Sequence, residues 1–191
     1  MRDDPYWNHN TRYHPWLLKQ VPRSARTALD IGCGDGLLAG KLARHGLAVT
    51  GIDIDADILT RGPAMAGISL ARADFLEYTG SFDVVTTVAT LHHVPLREGI
   101  TALRRLVAPG GVLAVVGLWN MTPRKDFHYF PVAPLVWATD ALHRRGGPNA
   151  QMRDPVDDYA DIRSAARELL PGARMRRRLM WRYTLLWHKP A

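Results

Sequence analysis

Cysteine is almost missing from this sequence, in which Cys33 is the only one. A disulfide within the chain needs two cysteines, and a zinc site made of cysteines needs several. Neither can form here, which is compatible with the reducing conditions of the cytoplasm. We therefore expect a cytoplasmic protein.

Long apolar segments are missing too. The N-terminus carries Asp3 and Asp4 where a secretory signal has basic residues followed by an apolar stretch. The longest aromatic and apolar run, Tyr129–Leu142, contains two prolines and Asp140, and it is shorter than the ~20 residues of a membrane-spanning helix. We predict neither export nor contact with a membrane.

Acidic residues are absent from the last twenty positions, and the whole chain has a net charge of +7. The basic residues of this C-terminal strip are Arg174, Arg176, Arg177, Arg178, Arg182 and Lys189. Such a strip either binds a polyanion such as nucleic acid or is the solvated face of edge strands. We favour the second interpretation, because basic strips without interleaved aromatics are common.

Strand-like and helix-like segments alternate along most of the chain. The predicted strands are Thr27–Ile31, Ala48–Ile52, Ile68–Arg72, Phe82–Val88 and Val112–Val116, followed by two within Ala173–His188. The predicted helices are Trp16–Val21, Leu37–Arg44, Ala56–Ala66 with Asp55 as N-cap, Pro95–Val107 and Asp157–Leu170. This alternation predicts an α/β fold with a doubly wound, mostly parallel sheet.

The 191 residues, 47% of them hydrophobic, suit one domain with one core. No internal repeat or change of composition divides the chain. Within this domain we distinguish an N-terminal arm (1–22), a core (27–117), an insertion rich in proline and aromatics (118–155), and a C-terminal helix with strands (156–191).

The segment "LDIGCGDG", Leu29–Gly36, has glycines at three alternate positions after the first predicted strand. Glycine permits unusual backbone angles and lets a ligand approach the main chain closely. At the carboxyl end of a strand in an open α/β sheet, such a turn borders a ligand crevice. An ordinary tight turn is the alternative.

A nicotinamide dinucleotide site is disfavoured, because the third glycine of its G-x-G-x-x-G pattern is replaced by Leu37. Asp53 ends the second predicted strand, where a carboxylate accepts hydrogen bonds from ribose hydroxyls. The sequence therefore favours a ligand that carries a nucleoside.

The sequence resembles the class I S-adenosylmethionine-dependent methyltransferases over Thr27–Gly117. The segments that carry the resemblance are "ALDIGCGDG", "VTGIDID", "RADF", "FDVVTTVATLHHVP" and "LVAPGGVLAVV". The resemblance implies an enzyme with a Rossmann-like, seven-stranded sheet whose last strand is antiparallel. It also makes residues 27–117 the cofactor-binding core and S-adenosyl-L-methionine the cofactor.

The resemblance also assigns roles at the methionine end of the cofactor. Gly32 and Gly34 would lie under the methionine part, and Asp30 would hold its amino group directly or through water. Ala89, which follows the fourth predicted strand, would lie near the same end.

At the adenosine end, the same resemblance places the ribose on Asp53 and the adenine against Ile54. Asp74 and the Phe75 backbone would recognise the adenine edge. Each of these residues also has a structural alternative: Asp74 as a cap of a turn, Ile54 as part of the core.

Methyl transfer to oxygen or nitrogen benefits from a base that removes the acceptor's proton. His92 and His93 follow the fourth predicted strand, and imidazole accepts a proton near neutral pH. Related small-molecule methyltransferases have a histidine at the position of His92 and pair it with a tyrosine of an N-terminal lid, which here would be Tyr13. Both histidines have an alternative role as caps of the following helix.

The arm and the insertion are expected to shape the acceptor pocket, the arm as a lid. The aromatic residues of the insertion are Trp119, Phe127, Tyr129, Phe130 and Trp137. Aromatic walls suit a flat or apolar small molecule and favour a sulfonium cation. Any one of these residues is as readily a core residue.

Two other functions stay open: methylation of RNA or DNA through the basic C-terminal strip, and cofactor binding without catalysis. Against nucleic acid, the chain has neither an Asn/Asp-Pro-Pro-aromatic motif nor a second cysteine for attack on a pyrimidine. No acidic cluster suggests a catalytic metal. The sequence predicts neither the acceptor's identity nor the oligomeric state.

Overall fold

The computed structural model describes residues 4–61, 66–127 and 153–191, together with positions 131, 134, 136, 138 and 139. Seven strands form one sheet: β1 Thr27–Ile31, β2 Ala48–Asp53, β3 Ile68–Arg72, β4 Phe82–Val88, β5 Val107–Gly117, β6 Arg174–Arg178 and β7 Arg182–His188. Their spatial order is β3-β2-β1-β4-β5-β7-β6. The first five strands are parallel, and β7 is antiparallel to both β5 and β6. The predicted fold class is confirmed.

Six helices of the described residues flank the sheet: α1 His14–Leu18, α2 Leu37–Arg44, α3 Ala56–Leu59, α4 Leu96–Leu106, α5 Pro123–Asp126 and α6 Tyr159–Leu169. On one face of the sheet, Leu29, Val85 and Leu113 pack with residues of α4 and α6. On the other face, Val84 and Ala114 pack with residues of α1 and α2. Both faces are therefore covered, as the uninterrupted apolar runs of the central strands require.

The predicted helix Ala56–Ala66 is wrong in length. Asp55 does cap it, since its side chain accepts hydrogen bonds from the N–H groups of Asp57 and Ile58. The helix nevertheless ends at Leu59, and Thr60 and Arg61 form a turn. The sequence continues with Gly62 and Pro63, two residues that oppose helix continuation.

The predicted helix Trp16–Val21 is also displaced toward the N-terminus. A single 3₁₀ turn, Thr11–Tyr13, leads directly into α1, which carries Pro15 in its first turn. Proline is favoured there, because the first N–H groups of a helix have no intrahelical partner. The helix therefore begins before Trp16 and ends at Leu18.

The carboxyl ends of the parallel strands lie along one edge of the sheet. Strand β7 runs the other way, so its first residue lies at this same edge, where Tyr183 pairs with Gly117 at the end of β5. The hairpin between β6 and β7 therefore reaches the edge at which an α/β sheet binds its ligand. In the described part of the chain, no helix has the length and apolar character needed to cross a bilayer.

Candidate active site

A cavity of about 890 Å³ lies at the carboxyl edge of the sheet. Its walls come from the arm, from the turn between β1 and α2, and from the residues that follow β2, β3 and β4. The site residues predicted from sequence that line it are Asp30, Gly32, Gly34, Asp53, Ile54, Asp74, Phe75, Ala89 and His93. This volume is within the usual range of about 300–1,000 Å³ for small-molecule sites.

The glycine turn has a backbone that other residues avoid. Gly32 has φ of 66° and Gly34 has φ of 56°, both in the left-handed region. A Cβ atom on Gly32 would also overlap the Thr90 hydroxyl and lie 2.8 Å from Thr90 Cγ2. The absence of a side chain therefore lets the end of β4 pack directly against the turn.

Asp53 is held in place by two backbone groups. Its Oδ2 accepts a hydrogen bond from the Gly34 N–H at 2.9 Å, and its Oδ1 accepts one from the Asp55 N–H at 3.0 Å. Each carboxylate oxygen can accept more than one hydrogen bond. The side chain is thus oriented at the cavity wall with capacity to bind a diol such as ribose.

Asp30 is a buried acid, 2% exposed, at the end of β1. Its Oδ1 accepts a hydrogen bond from the Thr86 hydroxyl at 2.9 Å, whereas its buried Oδ2 has no partner in the structure. Burial, assisted by the charge of Asp53, raises the pKa of Asp30 to about 7. A buried carboxylate oxygen without a hydrogen-bond partner fits a ligand ammonium group, which would supply both a hydrogen-bond donor and a positive charge.

This geometry predicts pH-dependent cofactor binding. An ammonium group favours ionised Asp30, so S-adenosylhomocysteine should bind about tenfold more weakly at pH 6 than at pH 8 and should release a proton on binding at pH 6. Calorimetry in buffers of different ionisation enthalpy measures both quantities. Asp30→Asn cannot titrate and should remove the proton release, and a pH-independent affinity of the unaltered protein would contradict the assignment.

At the other end of the cavity, an exposed aliphatic side chain lies beside polar groups. Ile54 is 62% exposed although it is apolar, and Arg72 Nε donates to its carbonyl oxygen at 3.2 Å. Asp74 accepts a hydrogen bond from the Leu76 N–H at 2.9 Å, which is the turn-capping contact of the structural alternative. Phe75 is buried. An exposed aliphatic surface beside polar backbone is suited to a heteroaromatic ring.

Ala89 follows β4 with φ of 54°, a strained conformation for a residue other than glycine. Its N–H donates to the Val116 carbonyl oxygen at 2.8 Å, which ties it to the end of β5. Strain held in this way at a cavity wall is typical of functional sites.

The N-terminal arm closes one side of the cavity. The Tyr6 hydroxyl lies 2.9 Å from both carboxylate oxygens of Asp35. Lys41 Nζ lies 2.6 Å from Asp4 Oδ2 and 3.2 Å from Nδ1 of the buried His14. The arm is therefore fastened to the first turns of α2, next to the glycine turn.

His92 and His93 lie in a 3₁₀ turn, Leu91–His93, between β4 and α4. Their ring centroids are 4.2 Å apart, and His93 is the one that lines the cavity. Burial, with the positive charges of His93 and Arg182, lowers the pKa of His92 to about 4. Burial also lowers the pKa of His93. Both shifts favour the neutral imidazole, which is the form that accepts a proton.

Tyr13 is not among the residues that line the cavity. Its ring is 8% exposed, and its hydroxyl donates to the Leu179 carbonyl oxygen at 2.6 Å, in the hairpin between β6 and β7. Tyr6 is the tyrosine of the arm at the cavity wall. The partnership of Tyr13 with His92 stays a prediction.

The aromatic residues of the insertion differ in their surroundings. Trp119 is 2% exposed and packs edge-on against Tyr159, with ring centroids 5.8 Å apart. Phe127 is 67% exposed. The remaining three, Tyr129, Phe130 and Trp137, lie outside the described residues.

Sequence reasoning did not single out Thr86 or Thr90, which support the site through Asp30 and the glycine turn. No local motif marks them, because each acts through a partner distant in the chain. Within the described residues, no group of three or more histidine, cysteine or acidic side chains could hold a metal ion.

A seven-stranded sheet with this topology, a glycine turn after β1 and an acid at the end of β2 define a class I S-adenosylmethionine-dependent methyltransferase. Residues 29–115 match the family model described as a methyltransferase domain. The chain belongs to this enzyme family, and its cofactor is S-adenosyl-L-methionine. The buried Oδ2 of Asp30 and the glycine backbone that lines the cavity at Gly32 and Gly34 fit this cofactor.

Known proteins resemble the chain to different extents. An uncharacterized methyltransferase of Mycobacterium tuberculosis is 36% identical, covering 98% of this chain and 99% of the relative. A ubiquinone biosynthesis O-methyltransferase of Ralstonia nicotianae is 30% identical over 65% of this chain and 68% of its own. The solved structure of CalS10, an amino pentose methyltransferase from Micromonospora echinaspora, has a TM-score of 0.67 at 15% identity and covers 96% of this chain and 92% of its own.

Proposed function

We propose that the protein transfers a methyl group to an oxygen or nitrogen atom of a small-molecule acceptor. The observation that carries this proposal is the pair of histidines with ring centroids 4.2 Å apart, of which His93 lines the cavity together with Ala89 and Thr90. The ubiquinone biosynthesis O-methyltransferases among the relatives support an oxygen acceptor.

The cofactor residues of this proposal follow the cavity. Asp30 would hold the amino group, Asp53 the ribose, and Ile54 the adenine face. Gly32 and Gly34, whose backbone lines the cavity, would lie under the methionine part. When bound, the cofactor would supply a methyl group activated by its positively charged sulfur; as the acceptor atom bonds to the methyl carbon, the C–S bond would break and S-adenosylhomocysteine would be left.

The remaining residues act on the acceptor. Holding the nucleophile in line behind the methyl group lowers the barrier by up to about 7–11 kcal/mol. We assign this positioning to the arm (1–22) and the insertion (118–155), which flank the core (27–117) in the sequence. We assign His92 rather than His93 to the acceptor, because His93 lines the cofactor cavity, whereas His92 lies beside it with Arg182 among its charged neighbours. His92 would therefore remove the acceptor's proton.

Replacement of His92 tests this assignment. His92→Ala should lower kcat by about 10²–10⁴-fold, since it removes a general base, with little change in the affinity for S-adenosylhomocysteine. His45→Ala is a matched control, because His45 caps α2 at its C-terminus and does not line the cavity. Unchanged turnover of His92→Ala would exclude the base role.

The acceptor class needs a separate test. Labelled S-adenosylmethionine, incubated with the protein and either a metabolite extract or total RNA, should label the small-molecule fraction. If the RNA were labelled instead, and if added salt reduced that labelling, methylation of RNA through the basic C-terminal strip would be supported. On the edge strand β6, Arg174 and Arg176 are exposed, which agrees with charged residues that prevent sheet-to-sheet association.

A further inference from the structure

Arg182 is the first residue of β7 and lies at the ligand-binding edge of the sheet. It follows a strained turn, since Met180 has φ of 59° and Trp181 has φ of 52°. Neither residue is a glycine or an asparagine, the types that adopt such angles readily. The hairpin thus holds Arg182 at this edge despite a cost in backbone energy.

The guanidinium group of Arg182 contacts neutral oxygen atoms. Its Nε and Nη2 both donate to Asn10 Oδ1, at 3.0 and 2.8 Å. Its Nη1 donates to the Met180 carbonyl oxygen at 3.1 Å and approaches that of Trp181 at 3.5 Å. None of the carboxylates in the described ranges forms an ion pair with it.

This cation is partly buried. Burial lowers the pKa of Arg182 to about 10, and the Tyr13 hydroxyl is the one group that opposes this effect. A cation that loses part of its hydration without gaining a counter-ion is costly, whereas a neutral side chain would hold Asn10 without that cost. The positive charge therefore points to an anion that arrives with a ligand.

The arrangement of Asn10 shows where such an anion would bind. Asn10 lines the cavity, and a single amide oxygen occupies the Nε–Nη2 side of the guanidinium. This side is the one that binds a carboxylate through two parallel hydrogen bonds. The Asn10 amide oxygen thus stands where one carboxylate oxygen of a ligand would be.

We propose that Arg182 binds a carboxylate group of the methyl acceptor, which displaces the amide oxygen of Asn10. The acceptor is then an acid that carries its nucleophilic oxygen or nitrogen near His92. This proposal rests on the proposed function, because it assigns the acceptor of that reaction. Arg153, whose guanidinium donates to the His93 carbonyl oxygen at 3.1 Å, adds positive charge to the same side.

A carboxylate could also come from the methionine part of the cofactor. The two sources make different demands on Arg182. If it bound the cofactor, its replacement would weaken S-adenosylhomocysteine binding. If it binds the acceptor, that affinity is unchanged, and the preference for an acid over its amide is lost.

The experiment compares acids with their amides on protein saturated with S-adenosylhomocysteine. The probes are benzoate, 4-hydroxybenzoate and 4-hydroxyphenylacetate, each titrated by calorimetry beside the corresponding amide. At least one acid should bind roughly tenfold or more tightly than its amide, as expected for a charge-assisted bidentate contact. Arg182→Gln should lose this preference. Arg176→Gln removes the same charge from an exposed position of β6 and should retain it.

A second variant keeps the arginine and so covers a failure of Arg182→Gln to fold. Asn10→Asp places a carboxylate on the Nε–Nη2 side and should remove the acid preference while raising the melting temperature. A purely structural role for Arg182 predicts that Asn10→Asp leaves the acid preference unaltered.

Three results would overturn the proposal. The first is that no acid binds more tightly than its amide. The others are that Arg182→Gln still binds the acid more tightly than its amide, or that it binds S-adenosylhomocysteine tenfold more weakly. Failure of the proposed function has a different signature. In that case the acid preference persists, while no methyl group is transferred to any acid.

Discussion

Asp53→Ala should weaken the binding of S-adenosylhomocysteine by about two to four orders of magnitude. Hydrogen bonds from a ligand to a charged acceptor contribute about 1.5–3 kcal/mol each, and a ribose diol makes two. The alanine also leaves the N–H groups of Gly34 and Asp55 without the carboxylate that fixes them at 2.9 and 3.0 Å. The loss therefore combines missing ligand contacts with a less ordered glycine turn.

Isothermal titration calorimetry measures this loss, and Asp161→Ala serves as the control. Asp161 is an exposed carboxylate in the first turn of α6, outside the cavity. Its replacement changes the net charge equally and should leave the affinity unaltered. If Asp53→Ala bound as tightly as the unaltered protein, the nucleoside would have to lie elsewhere.

The second large effect is expected for Gly32→Ala. A left-handed backbone costs an alanine about 1–2 kcal/mol, and the new Cβ would also overlap Thr90, whose Cγ2 would be 2.8 Å away. Thr90 cannot withdraw easily, because its hydroxyl is hydrogen-bonded to the carbonyl oxygens of Ile31 and Val88 at 3.3 and 3.1 Å. We expect both lower stability and loss of cofactor binding.

Gly46→Ala separates the two causes. Gly46 has φ of 86°, but a Cβ there meets nothing within 4 Å. Gly46→Ala should therefore lower the stability only by the cost of the left-handed backbone, and its affinity for S-adenosylhomocysteine should be unchanged. Thermal unfolding and calorimetry on both variants make the comparison, and equal behaviour of the two would show that the contact with Thr90 has no consequence.

The strands were predictable because their signal is local. The strands β1, β3 and β4 have the bounds predicted from sequence. Helix bounds were less predictable. Helix α1 begins before the predicted Trp16, with Pro15 in its first turn. Helix α3 ends at Leu59, ahead of Gly62 and Pro63. At these places a capping or helix-breaking residue outweighs the apolar periodicity that predicted the longer segment.

The cofactor side of the site was predictable for the same reason. Gly32 and Gly34 lie in the turn after β1, and Asp53 is the last residue of β2, so their position at the cavity is fixed by the topology of the sheet. The acceptor side depends on distant contacts. Asn10 and Arg182 are 172 residues apart in the chain, and nothing near Arg182 in the sequence distinguishes it from the other arginines of the strip.

The central claim is that the glycine turn and Asp53 together hold the cofactor. A crystal structure of the protein with S-adenosylhomocysteine tests it most directly. We predict ribose oxygens within hydrogen-bond distance of Asp53, the adenine against Ile54, and the amino group beside Asp30. A cavity that stays empty at saturating ligand, or a nucleoside bound at another place, would contradict the account.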